Sequence, residues 1–314
     1  MILLVGCGPM AISYAQVLVE IGVEFVVVGR SARSAQVFKD AVGKAPISGG
    51  VELFLQNCRQ RIDMAIVAVD VFSLASVCAN LISCNVNKIL VEKPGAYCLS
   101  ELIQLNKLAE KAGAQVYVAY NRRFYASVQA AKRYILEDGG VSSFSFEVSE
   151  WGGRVSKVSN HPAVKENWFL ANTSHVVDLA FYLGGQPKDI DCRTSGSLAW
   201  HPASSIFSGS GVSYSGALFS YSGNWVAPGR WCLEVLTSQR RLVFRPLETL
   251  KIQNIGSMDL IDDVFDDSMD KKFKPGLYLQ VSKYIHGDLS SFPALSEHVK
   301  LATIYARMAG YETR

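Results

Sequence analysis

Near its start the chain reads Gly6-Cys7-Gly8-Pro9-Met10-Ala11, a G-x-G-x-x-A spacing. Gly6 suits a tight turn, Gly8 lets backbone approach a diphosphate, and Ala11 permits close helix–strand packing behind a helix N-terminus that faces the anion. Pro9 and Met10 belong to the same turn. Val69, closing a later apolar run, is expected to join them as a nucleotide contact. Ordinary strand-to-helix turns also use small residues, but this one follows a predicted strand and opens a predicted helix, which favours a dinucleotide. After the second apolar run the chain reads Gly29-Arg30-Ser31-Ala32-Arg33-Ser34, where an NAD site usually carries a carboxylate for the ribose 2′-hydroxyl. Arg30, Ser31 and Arg33 offer guanidinium and hydroxyl donors suited to a 2′-phosphate. NADP(H) is therefore expected in preference to NAD(H), against the alternative of a solvated basic loop.

A second group lies in Asn172-Thr173-Ser174-His175-Val176-Val177-Asp178. Helical spacing puts Asn172, His175 and Asp178 on one face. An imidazole titrates near neutrality, as proton exchange at a carbinol or carbonyl oxygen requires. Asp178 would orient it, although a buried histidine tied to Asp178 for structural reasons, or a carboxylate paired with a basic neighbour, fits the same spacing. Tyr120, Trp151 and Trp168 suit the apolar face of a sugar ring or ordinary core packing. Arg122 and Arg123, with Arg154 and Lys157, suit an anionic substrate group or a solvated surface. The histidines at 161, 201, 286 and 298 have no ligand-like spacing, so no metal is expected.

The elements that position these residues follow from apolar patterning. Continuous runs at Met1 to Val5, Glu24 to Val28, Ala65 to Val69, Lys88 to Val91 and Gln115 to Val118 read as strands of a parallel sheet covered on both faces. Helical stretches such as Leu74 to Ile82 and Ser100 to Ala112 lie between them, which predicts a doubly wound Rossmann sheet over residues 1–120. Residues 121–314 read differently. A helix from Ser127 to Glu137 leads into an alternating run from Ser142 to Glu150. After the His175 helix come Cys192 to Leu198, Ser213 to Tyr221, Arg230 to Ser238 and Arg241 to Arg245 as short strands. This predicts an α+β domain on an open, mostly antiparallel sheet; a role for it in binding substrate and in oligomerisation is what the family resemblance given below implies. The final helix, Ser296 to Ala309, is expected to fold back on the first domain.

Composition sets the outer bounds. Of 314 residues 49% are hydrophobic and 19% charged, which excludes disorder, collagen and coiled coil. With 31 basic and 28 acidic residues the net charge of +3 argues for neither a nucleic-acid nor a membrane partner. The window from Ile62 to Cys84 contains Asp63 and Asp70 and reads as a strand and a helix rather than a membrane span. Seven scattered cysteines without a C-x-x-C pair, and no cationic leader before the first apolar run, point to reduced thiols and a cytoplasmic protein.

Four motifs in order carry a family resemblance. Val91-Glu92-Lys93-Pro94 lies after the fourth of these runs and before a helix, Tyr120-Asn121-Arg122-Arg123-Phe124 opens the second domain, His175 and Asp178 form a His-x-x-Asp pair, and Lys274 to Gln280 carries a Gly, an aromatic residue and Gln. Together they resemble the Gfo/Idh/MocA family of NAD(P)-dependent oxidoreductases. The resemblance implies hydride transfer between nicotinamide and a carbonyl or carbinol carbon of a sugar, amino sugar, nucleotide sugar or cyclitol. It implies a homo-oligomer, dimer or tetramer, formed through the second sheet. It also implies Lys93 and His175 as proton-handling residues, with Asn172 and Asp178 positioning substrate and Glu92 steadying the Lys93 loop. A lysine so placed and partly desolvated can exchange a proton with a substrate oxygen, and Pro94 suits a first helical position. One departure stands out. Many members carry Asp four residues before the histidine, where this chain has Ala171. An amide at Asn172 can position a hydroxyl but cannot act as a carboxylate base. A dinucleotide-binding regulator without catalysis and a reductase of C=N bonds are therefore the alternative readings.

Overall fold

The computed structural model describes residues 1–311, which form two compact units: Met1–Tyr120 with Lys272–Lys300, and Asn121–Lys271 with the stretch from Leu301 onward. In the first unit β1 (Ile2–Val5), α1 (Pro9–Ile21), β2 (Phe25–Gly29), α2 (Ala32–Val42), β3 (Ile47–Ser48), α3 (Gly50–Asn57), β4 (Met64–Val67), α4 (Leu74–Ser83), β5 (Lys88–Glu92), α5 (Leu99–Ala112) and β6 (Gln115–Ala119) follow one another. The six strands are parallel in the order β3-β2-β1-β4-β5-β6. This is the doubly wound arrangement whose strand order reverses beside β1, where such sheets leave a crevice at the strands' carboxyl ends. Both faces of β1 are covered, so Leu3 and Leu4 are fully buried and the strand needs no polar alternation. Helix α1 starts where Gly8 is extended and Pro9 takes the first helical position, and it stops at the left-handed Gly22.

Sequence patterning located these strands and helices to within two residues, but α2, β3 and α3 were not anticipated. Strand β3 has only two residues, both exposed, too little for an apolar run. Pro94 does not begin a helix, as expected above. It lies in a turn, and α5 starts at Leu99 behind Cys98.

The second unit contains α6 (Ala126–Glu137), β7 (Ser143–Glu147), the short helices α7 (Gly152–Val155) and α8 (Pro162–Glu166), and α9 (Ser174–Gly184). Strands β8 (Pro187–Ser195), β9 (Ile206–Ser213), β10 (Leu218–Asn224), β11 (Cys232–Leu236), β12 (Arg240–Phe244), β13 (Lys251–Asn254) and β14 (Ile261–Asp262) complete its sheet. The order is β14-β13-β12-β11-β7-β10-β9-β8, and every pairing is antiparallel except β7 with β10. The run from Ser213 to Tyr221, read above as one strand, is the end of β9, a turn, and the start of β10. Gly216 at φ 90° makes that turn, and the Ser-rich flanks hide it from an alternation test. On β7, Phe144 and Phe146 point inward and meet Phe181 of α9 edge-on at 6.3 and 5.7 Å. The last residue of that helix is Gly184, where a Cβ would lie 2.3 Å from the Phe144 ring.

Three further helices are α10 (Ser268–Lys272), α11 (Leu277–His286) and α12 (Leu295–Ala309). Helix α11 packs on α1 in the first unit. The last helix divides at its middle, residues to Lys300 falling in the first unit and those from Leu301 in the second. No helix of the described residues is long and apolar enough to cross a membrane.

An ion pair lies in the core of the second unit. Arg123 donates from Nε and Nη2 to the two Asp178 oxygens at 2.8 and 2.6 Å, both side chains almost wholly buried. A fork matched to a carboxylate satisfies both charges where water is excluded, whereas removing one partner strands the other. Arg123→Ala should therefore cost about 3–5 kcal/mol in urea unfolding. A loss below about 1 kcal/mol, the value of an exposed pair, would refute the buried tie.

Candidate functional site

The first unit holds a cavity of about 560 Å³ at the carboxyl ends of β1, β2 and β4. Gly6, Gly8, Pro9, Met10, Arg30, Ser31 and Val69, named above as candidate dinucleotide contacts, line it. Gly6 has φ 124°, and a Cβ there would sit 2.2 Å from the Ala68 carbonyl oxygen, so only glycine allows the turn between β1 and α1. Gly8 differs. A Cβ on it would meet nothing within 4 Å, so its backbone faces open space at the start of α1, where unpaired helix N–H groups favour an anion. Ala11 is fully buried behind the turn and does not line the cavity. Arg33 sits exposed on the first turn of α2 and is likewise absent from the lining, while Ser31 caps α2 by accepting from the Ser34 amide at 3.5 Å.

Sequence reading missed part of the lining. Gly50, Val51 and Glu52 come from the start of α3, Asp70 and Ser73 from the turn leading into α4, and Ser76 from the first turn of α4. Asp70 accepts from the Ser73 hydroxyl at 2.8 Å, and Glu52 accepts from Asn80 at 2.7 Å. In size and lining the cavity fits a dinucleotide: about 300–1,000 Å³ is usual for ligand sites, and the glycine turn leaves space beside a helix start. Gly8→Val should leave the melting temperature nearly unchanged while abolishing dinucleotide binding by calorimetry. Retained binding would show that no diphosphate lies there.

At the end of β5, Glu92 is buried and accepts from the Tyr14 hydroxyl at 2.7 Å. That hydroxyl also lies 3.3 Å from Gln280 Oε1 on α11, which explains the glutamine of the Gly–aromatic–Gln segment. Gly276, left-handed at φ 73°, starts the helix that delivers it. Burial raises the Glu92 carboxyl above its ordinary 4.5, while Tyr14, Lys93 and Lys274 act in the opposite sense. Stability from a carboxyl raised in the folded state is full below the unfolded value and is lost as pH rises through the folded one. The isosteric Glu92→Gln should therefore gain on the parent in urea melts as pH is taken from 4.5 toward neutrality. A difference independent of pH would count against it. Lys93 is half-buried in the turn after Glu92. Tyr120, expected at a substrate, is instead fully buried in the first unit with its ring 5.3 Å from that of His298, as a large aromatic at a strand end packs where area is greatest.

In the second unit His175 is buried near the start of α9, its ring 6.2 Å from that of Trp231. A π-helical turn, Phe169–Thr173, precedes the helix, a wider turn of the kind often found at functional sites. Asn172 and Thr173 both donate to Glu150 Oε1, at 2.8 and 2.9 Å. Glu150 follows β7, is 2% exposed, and also meets Arg230 Nη1 at 3.5 Å through Oε2. Burial raises its carboxyl while those donors hold it down. Sequence reading placed Glu150 at a strand end without a role, because its partners lie more than twenty residues away.

The expected common face of Asn172, His175 and Asp178 is thus divided among separate partners. Asn172 turns to Glu150, and Asp178, expected to orient His175, gives both oxygens to Arg123. Arg123, expected at the substrate, is committed to that pair, which a guanidinium fork forms in preference to any looser contact. Trp168 is buried, edge-on to Trp200 at 6.3 Å. Trp151 is half exposed, its indole donating to the Gly229 carbonyl at 3.0 Å. Arg122 lies over Trp231 at 5.0 Å. Among the described residues no three of His, Cys, Asp and Glu gather as metal ligands, and all seven cysteines are free thiols.

A six-stranded doubly wound sheet with a glycine turn at its switch point defines a dinucleotide-binding Rossmann unit, here joined to a unit built on an open sheet of eight strands. Residues 1–120 match the model of the Gfo/Idh/MocA family, described as an oxidoreductase family with an NAD-binding Rossmann fold. The match covers that stretch alone, which contains the Glu92-Lys93-Pro94 motif. A search of curated proteins finds no match. Among solved structures, UDP-N-acetylglucosamine 3-dehydrogenase GnnA from Acidithiobacillus ferrooxidans is 14% identical with TM-score 0.73, covering 99% of this chain and 97% of its own. The WlbA dehydrogenase from Bordetella pertussis, in complex with NADH and UDP-GlcNAcA, is 16% identical with TM-score 0.72, covering 98% and 94%. Levoglucosan dehydrogenase, in complex with NADH and levoglucosan, is 16% identical with TM-score 0.76, covering 98% and 95%. At these identities the likeness shows the fold.

Proposed function

We propose that the protein is an NADP(H)-dependent oxidoreductase acting on the CH–OH or C=O carbon of a sugar-like molecule. The observation that carries this reading is the glycine turn opening on a cavity whose rim, at the end of β2, bears Arg30 and Ser31 and no carboxylate. The solved relatives support the sugar class, since their names give an acetylamino sugar nucleotide, a uronic-acid derivative of one, and an anhydrosugar as what they act on or hold. The bound nicotinamide would supply or accept hydride. Gly6 and Gly8 admit the diphosphate, and Arg30 holds the 2′-phosphate. His175 and Lys93 exchange the proton at the substrate oxygen, while Asn172, held in place by Glu150, orients a hydroxyl. The open face of the second sheet, lined by Ser208, Ser210, Ser220 and Ser222, suits a second copy of the chain, as the proposed homo-oligomer requires.

One observation favours a second reading. Ala171 is buried where the family resemblance leads one to expect a carboxylate, as a dinucleotide-binding regulator without catalysis would tolerate. Absorbance at 340 nm over a panel of keto sugars and polyols separates the two. Turnover is expected, falling at least about a hundredfold in His175→Ala, the usual worth of a positioned acid or base. Arg30→Ala should weaken NADPH at least about tenfold more than NADH, the loss of a charged hydrogen-bond pair. Full turnover in His175→Ala removes that residue from the reaction, and equal losses for the two cofactors overturn the NADP(H) preference.

A further inference from the structure

Two adjacent arginines behave in opposite ways in the second unit. Arg123 has a carboxylate to itself, whereas the Arg122 side chain has no hydrogen bond or ion pair among the described residues. Its Nε is sealed from water without an acceptor, and its guanidinium rests on two aromatic faces, Trp231 at 5.0 Å and Tyr125 at 5.9 Å. Stacking on rings holds the side chain in place but leaves its Nε–H unanswered, which is costly away from water. Burial pushes its proton affinity down, as expected of a cation short of counter-charge.

The other charges around it do not fill that gap. Glu150 is taken up by Asn172, Thr173 and Arg230. Glu248 lies on the exposed surface and accepts only from Tyr125 at 3.4 Å. The remaining neighbour is a second cation. Arg230 lies 4.6 Å over the same Trp231 ring and 5.5 Å over Trp151, its side chain half in solvent. Two guanidinium groups therefore share one indole, and the ring of His175 is 6.2 Å from that indole. Like charges held together beside a proton-exchanging group are an arrangement that an anionic oxygen group completes.

We propose that the substrate carries a carboxylate or a phosphoryl group, received by Arg122 and Arg230 against the face of Trp231. The proposal rests on the oxidoreductase reading for the word substrate, but its test reads binding alone. Isothermal calorimetry would use the full chain saturated with NADPH, titrated with the methyl glycosides of D-glucuronate, D-glucose 6-phosphate and D-glucose, whose locked rings offer no carbonyl to the reduced cofactor. One of the two anions is expected to bind at least about tenfold more tightly than glucose, the worth of a charged hydrogen bond, and which of the two does so identifies the group. Arg122→Met should abolish that advantage and leave glucose unchanged. Should Arg122→Met fail to fold, Arg230→Met, at a half-exposed position, should reduce the same advantage several-fold. Equal affinity for all three ligands, or an equal loss of glucose and anion in the variants, overturns the proposal. An anion preference without turnover of any sugar would leave this site standing while removing the oxidoreductase reading. Turnover of neutral sugars with no anion preference would do the reverse.

Discussion

The interaction on which the second unit depends is the buried fork between Arg123 and Asp178. It joins the segment Asn121–Phe124 to α9, and α9 carries His175. A buried ion pair adds little net stability compared with apolar packing, but it permits one geometry, because any slip leaves a charge in a dry interior. The register of the histidine helix is thereby fixed from one side. From the other, the π-helical turn is fixed by Glu150, which takes hydrogen bonds from two consecutive residues of that turn. A helix held by carboxylate bonds at its start and at its fifth residue has little freedom to rotate, which is what presenting an imidazole in a constant orientation requires.

The first unit uses the same principle with weaker charges. Tyr14, Glu92 and Gln280 come from α1, β5 and α11, and one phenol hydroxyl lies within hydrogen-bonding distance of both other side chains. The loop with Lys93 leaves directly from this buried point. A lysine expected to exchange protons is thus attached to a rigid anchor, whereas the basic rim at Arg30 and Ser31 is exposed and adaptable. That division suits a site in which the phosphate end of a ligand needs charge and the reacting end needs position.

Much of this was legible in the sequence. The parallel strands announced themselves as uninterrupted apolar runs, and the glycine turn by its spacing. What the sequence hid was pairing. Arg122 and Arg123 read alike, yet one lies opposite a buried carboxylate and the other does not. Glu150 looked like the polar end of a strand, because nothing local shows that Asn172, Thr173 and Arg230 converge on it. The residues from the starts of α3 and α4 that line the cavity escaped notice for the same reason, since separate loops meet there only once the sheet has formed. The hairpin between β9 and β10 was hidden by serine and glycine, which suit strand and turn equally. Tyr120 shows the converse: an aromatic beside a recognised motif reads as a ligand contact, although burial of its large surface accounts for its place.

The return of the chain to the first unit bears on how the protein is made. Tyr14 emerges from the ribosome early, but Gln280 and the helix that covers α1 are translated more than 250 residues later. At about 5–20 residues per second that delay amounts to roughly 13 to 50 seconds, far longer than local helix formation takes. Until then the nascent Rossmann sheet waits with one flank open, and it is completed only after the strands of the second unit have been synthesised.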